Sequence, residues 1–118
     1  MPFIKIATNV DMGEEKRALM ARKIAENITL LPGKTPERTM VEIEDGKTML
    51  FGCSFDPCMK ARVELFGHSP AEAKAALARV LTELAGSEAG VAPDRVYITF
   101  PEYGSWGSGG ALRIDDNF

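Results

Sequence analysis

At 118 residues, 45% hydrophobic and 26% charged, the sequence has room for one domain spanning residues 1–118 and is too apolar for a disordered chain. A formal charge of −3, with Lys and Arg dispersed among acids, leaves no electrostatic footprint for nucleic acid. No apolar run approaches the roughly 18–20 residues of a bilayer span and no signal-peptide pattern opens the chain, so no membrane is expected and the cytoplasm is the expected compartment.

The chain starts Met1-Pro2 and runs directly into Phe3-Ile4-Lys5-Ile6, whose alternation predicts a strand over 3–8. A small second residue lets the initiator Met be removed, which would leave Pro2 with a free secondary amine. Joined to an apolar strand, that amine is held in the fold, where burial disfavours its charged form and makes it a base at physiological pH. Between Glu14 and Leu31, the residues Ala18, Ala21, Ile24, Ala25, Ile28 and Leu31 share one helical face. Asp11 and Glu14 resemble a capping box at its start, and Pro32-Gly33 ends it.

Strands are expected over 39–44, 49–53, 59–66 and 95–100, rich in Val, Ile and aromatic residues. Asp45-Gly46 reads as a hairpin signal between the first two. A second helix should follow Ser69, with Pro70 at its first position, Glu72 completing a capping box, and a stop at Gly86. The segment Gly104-Ser105-Trp106-Gly107-Ser108-Gly109-Gly110 lacks the Lys-Ser/Thr pair of a phosphate loop and reads as a flexible loop.

Residues 14–43 laid over 71–100, a constant offset of 57, give eight identities, and Thr35-Pro36-Glu37-Arg38 reappears as Ala92-Pro93-Asp94-Arg95. The fold class is therefore α+β. Two β-α-β units related by a pseudo-twofold would build a four-stranded sheet with both helices on one face. The opposite face would be bare, and self-association into a closed symmetric ring is the economical way to cover it.

Lys34 lies in a loop stiffened by two prolines and a glycine, where it suits a substrate carboxylate or stands as a solvated loop lysine. Alternation sends Tyr97 and Thr99 to one sheet face, able to offer hydroxyls to a ligand or to line a subunit contact. The single histidine, His68, rules out multi-histidine metal sites and sits at a helix start, where a structural role is expected. Cys53 and Cys58, spaced C-x4-C, read as packed free thiols, so no metal and no cofactor is expected.

Three ordered motifs, Met1-Pro2-Phe3-Ile4, Phe51-Gly52-Cys53-Ser54-Phe55-Asp56-Pro57-Cys58 and Asp94-Arg95-Val96-Tyr97-Ile98, resemble the macrophage migration inhibitory factor and D-dopachrome tautomerase family. The resemblance implies a homotrimer with an active site at each subunit boundary, catalysing keto–enol tautomerisation of small aromatic keto acids such as phenylpyruvate and of dopachrome derivatives. It implies Pro2 as the catalytic base, Lys34 as the carboxylate ligand, the backbone amide of Phe66 as a substrate contact, and Tyr97 supplied by a neighbouring subunit. Trp106 matches the family tryptophan near the pocket. Thr99 stands where a substrate-contacting asparagine is usual, Arg38 replaces an aromatic residue at the pocket mouth, and the C-x-x-C that would begin at Cys58 meets Ala61 instead. The resemblance leaves two alternatives in view. One is a cytokine-like protein, secreted without a leader, that binds a protein receptor through a vestigial pocket. The other is hydration, dehalogenation or decarboxylation of small unsaturated acids on the same fold.

Overall fold

A computed structural model describes all residues, 1–118. Strand β1 (Pro2–Thr8) leads into helix α1 (Glu14–Asn27), and β2 (Met40–Glu44) returns parallel to β1. The second half repeats the pattern with β3 (Met59–Phe66), α2 (Ala71–Ala89) and β4 (Val96–Thr99), β4 lying parallel to β3. Antiparallel pairing of β1 with β3, Pro2 opposite Leu65 through Thr8 opposite Met59, joins the halves in the order β2-β1-β3-β4. The two expected β-α-β units and the four strands they contribute are thus present, and the short strand Glu102–Tyr103 adds a fifth, parallel to the end of β3. The duplicated turns also match in conformation: Pro36–Arg38 and Pro93–Arg95 are both single 3-10 turns leading into a strand.

Period-two alternation decides which face is buried. Ile4, Ile6, Ala61, Val63 and Leu65 are sealed beneath Met20 and Ile24 of α1 and Leu77, Leu81, Leu84 and Ala85 of α2, forming one core. Each fully buried aliphatic side chain stabilises the fold by about 1.5–3 kcal/mol relative to exposure. Thr8 is the one buried polar residue, and its hydroxyl donates to the Cys58 carbonyl at 2.6 Å.

The opposite face differs from a simple apolar surface awaiting cover. Lys5 pairs with Glu44 at 3.3 Å and Arg62 with Glu64 at 3.4 Å, so its centre is charged. The most exposed apolar residues include Met40 on the edge strand β2, Tyr97 on the edge strand β4, and Leu50, Phe55, Leu112 and Ile114 outside these strands. No helix is long and apolar enough to cross a membrane.

Several local expectations are corrected. The first helix ends at Asn27 and continues as a 3-10 turn over Ile28–Leu30. Its N-cap is Gly13, with no side-chain cap from Asp11. The carboxylate at that helix start comes from Asp45, which accepts from the Met12 N–H at 2.8 Å and pairs with Arg17 at 3.0 Å. Asp45-Gly46 therefore makes no hairpin: Gly46 and Lys47 donate to the carbonyls of Val10 and Thr8. Pro70 is the N-cap of α2, not its first residue, and no Ser69–Glu72 capping box forms. The helix passes through Gly86 and ends at Gly90, whose φ of 68° supplies the left-handed cap.

Residues 49–53 form no strand. Gly52 and Cys53 both have positive φ, 59° and 61°, and make a two-residue turn closed by reciprocal bonds between Phe51 and Ser54. Cys53 is exposed, so only Cys58 is the packed thiol expected. The glycine-rich segment is also not a loose loop. After the short β5 (Glu102–Tyr103), β6 (Ser105–Ser108) and β7 (Ala111–Ile114) form an antiparallel hairpin turned by Gly109-Gly110, both at positive φ.

Candidate functional site

The N-terminus of β1, the turn before β2 and the β6–β7 hairpin enclose a cleft of about 610 Å³ lined by Met1, Pro2, Phe3, Glu37, Arg38, Thr39, Met40, Trp106, Gly107, Ser108 and Arg113. Pro2 is held there by the β1–β3 register, its partner Leu65 lying fully in the core. Trp106 and Arg113 are cross-strand partners in the hairpin, so both project from the same face toward the cleft.

Phe66, one residue beyond Leu65, ties the N-terminus to Lys34. Its N–H donates to the Met1 carbonyl at 3.3 Å, and its carbonyl accepts from Lys34 Nζ at 2.9 Å. Gly67 follows with a φ of 77°, and its N–H donates to the Tyr103 carbonyl at 2.8 Å. The loop that carries Lys34 is closed by the Lys34 N–H on the Leu31 carbonyl at 3.1 Å. Burial, then the Lys34 ammonium that repels and hydrogen-bonds it, then Arg38 and Arg113, lowers the α-amine of Met1 from 8.0 to about 6. At that value the Met1 amine is predominantly neutral at pH 7 and therefore able to accept a proton.

Pro2, Lys34, Phe66, Arg38 and Trp106 are thus brought to one corner of a single chain. Tyr97 and Thr99 are not. They pair with Lys60 and Arg62, which lie opposite Ala7, near the far end of β1 from Pro2, and Lys5, at its middle. Tyr97 is 65% exposed and its ring packs 4.7 Å from that of Phe51. Arg113, Glu37, Thr39 and Ser108 are cleft residues that sequence reasoning missed. The readable signal for Arg113 was the Gly109-Gly110 turn, which pairs it with Trp106. His68 lies outside the cleft, bonded to Glu102 at 3.1 Å and stacked on Phe118 at 4.3 Å, consistent with its expected structural role. No three His, Cys, Asp or Glu side chains are grouped so as to hold a metal ion.

A sequence model described as Macrophage migration inhibitory factor (MIF) matches residues 1–111. MIF-like protein mif-2 of Caenorhabditis elegans is 30% identical over 100 residues, covering 85% of this chain and 82% of that one. D-dopachrome decarboxylase-B of Xenopus laevis is 29% identical over 111 residues, 90% of each chain. Among solved structures, MIF2 of Leishmania major superposes with a TM-score of 0.89 at 21% identity, covering 96% of this chain and 97% of its own. The match over residues 1–111, the paired β-α-β units and the cleft at Pro2 agree: the chain belongs to the macrophage migration inhibitory factor family.

Proposed function

We propose that the protein is a keto–enol tautomerase of 2-oxo acids of the phenylpyruvate type, with the amine of Pro2, freed by removal of Met1, as its base. The observation that carries this reading is the place of Pro2, which opens β1 on the cleft wall at a corner where burial and the Lys34 ammonium already lower the α-amine of the preceding Met1 to about 6. In the proposed reaction the Pro2 nitrogen takes the proton from the carbon next to the carbonyl. The C–H electron pair becomes the C=C bond, and the prolinium returns the proton to the oxygen, giving the enol. Such a base contributes about 10²–10⁴-fold on its own.

Lys34 would hold the substrate carboxylate, leaving the Phe66 carbonyl it now caps to be satisfied by solvent or substrate. Removal of Met1 would also release the Phe66 N–H, now on the Met1 carbonyl, as a donor to the substrate. Tyr97 and Thr99, remote from Pro2 in one chain, would reach the cleft from a neighbouring subunit of a homotrimer. The experiment is a phenylpyruvate tautomerase assay on protein whose first residue has been read by mass spectrometry. Pro2-first protein should turn over, and Pro2→Gly should lose about 10²-fold or more with unchanged circular dichroism. Equal activity in the two would remove Pro2 from the mechanism. Decarboxylation at the same amine is the second reading, favoured by the relative named a D-dopachrome decarboxylase, and release of CO₂ from D-dopachrome distinguishes it.

A further inference from the structure

The duplication makes one arginine conspicuous. Arg95 and Arg38 occupy equivalent positions in the two 3-10 turns. Arg95 is fully employed: its guanidinium donates to the carbonyls of Pro57, Phe51, Ser54 and Asp56 at 2.9, 3.1, 3.2 and 3.0 Å. Arg38 has no such structural task and faces the cleft. Arg113 reaches the same cleft from the hairpin and is likewise free of a carboxylate, whereas Arg17 and Arg62 are ion-paired.

Both guanidinium groups are close enough to the N-terminal amine to depress its protonation. Glu37 is the only carboxylate on the cleft wall, so with Lys34 the surroundings are net positive in a chain whose overall charge is −3. A concave, partly enclosed site focuses such a field on an anionic ligand. Guanidinium forks suit a planar carboxylate bidentately, in a way that one lysine does not.

We infer that Arg38 and Arg113 form a second anion subsite in the cleft, so that the preferred ligand is a 2-oxo acid carrying a further carboxylate at its far end. The inference rests on the reading of Lys34 as the ligand of the first carboxylate. Trp106, the only tryptophan in the chain, is the cross-strand partner of Arg113 and serves as an intrinsic reporter of occupancy.

The test compares phenylpyruvate with 4-carboxyphenylpyruvate, of the same skeleton plus one carboxylate, by titrating Trp106 fluorescence and by tautomerase turnover. The wild-type protein should bind the dianion at least about tenfold more tightly, and added salt should shrink that ratio. Arg113→Gln and Arg38→Gln should each lower the dianion-to-monoanion ratio severalfold. Neither guanidinium holds the fold together, so native circular dichroism is expected in both. A wild-type ratio near one, or a ratio that neither substitution moves, overturns the subsite. A dianion preference in fluorescence with no turnover of either acid would sink the tautomerase reading and leave the subsite standing.

Discussion

Arg95→Ala tests how the segment 51–58 is held against the sheet. The guanidinium makes four bonds to carbonyls of that segment and also sits 5.1 Å above the Phe51 ring, which packs on Tyr97. A hydrogen bond to a charged donor contributes about 1.5–3 kcal/mol when buried. Two of these four are exposed, and water can replace the arginine at their carbonyls. The cation–π contact adds about 0.5–1 kcal/mol at such a site. Discounting the exposed pair and the shared donor, truncation should cost about 2–4 kcal/mol. For a chain of this size, at roughly 4 °C per kcal/mol, Tm should fall by about 8–16 °C. Arg95→Lys keeps the charge but not the fork, and should recover less than half of the loss. Thermal denaturation followed by circular dichroism gives Tm, and limited proteolysis should show new cleavage within 51–57. A Tm drop below about 3 °C for Arg95→Ala would refute the idea that this one side chain organises the segment.

Three further outcomes are expected. Leu77, fully buried between α2 and the sheet, should cost about 2–5 kcal/mol when changed to Ala, read as a lower urea midpoint with unchanged m. The Glu102 hydrogen bond, then the Phe118 carbonyl, raises the His68 pKa, so protonated His68 anchors the C-terminal residues. That anchoring is fully present below the unfolded histidine pKa of about 6.5 and is lost as pH rises through the folded value. Amide exchange at Phe118 should therefore retain more protection at pH 6 than at pH 8, after correction for intrinsic rates, and His68→Gln should abolish the difference. Gly110→Val should disrupt the β6–β7 turn, because φ at that position is 80°, and withdraw Trp106 and Arg113 from the cleft. Unchanged Trp106 fluorescence in that variant would contradict the hairpin's part in the cleft.

The elements that sequence reasoning placed correctly are those whose causes are local and periodic. β3 over 59–66 alternates buried residues with exposed or half-buried ones without a break, and β1 alternates buried with half-buried ones. The duplication was legible because it preserves a turn, Pro-acid-Arg, whose fixed proline φ sets the entry to a strand in both halves. What escaped has a distant or ambiguous cause. The carboxylate at the start of α1 is Asp45, 33 residues from the Met12 N–H it accepts, so no local motif could announce it. Gly86 looked like a helix end, yet the helix continues to Ala89; a Cβ there would lie 3.6 Å from the Val91 carbonyl that folds back on it. Cys53 at positive φ carries no propensity signal, since Asn or Gly would be the ordinary residue in that turn. At the cleft, Pro2, Lys34, Phe66, Arg38 and Trp106 were readable through the family resemblance. Arg113 required recognising Gly109-Gly110 as a hairpin turn instead of a flexible stretch.

The most direct test of Pro2 as the base is the pH dependence of kcat/KM for phenylpyruvate, measured on Pro2-first protein and on protein that retains Met1. A base active when neutral gives a rate that rises with pH through its pKa and then levels. The account predicts an apparent pKa well below the roughly 8 of an ordinary α-amine, in keeping with the value of about 6 at this corner, and activity confined to the Pro2-first form. Equal turnover by the Met1-bearing protein, or a profile flat through this range, would contradict it.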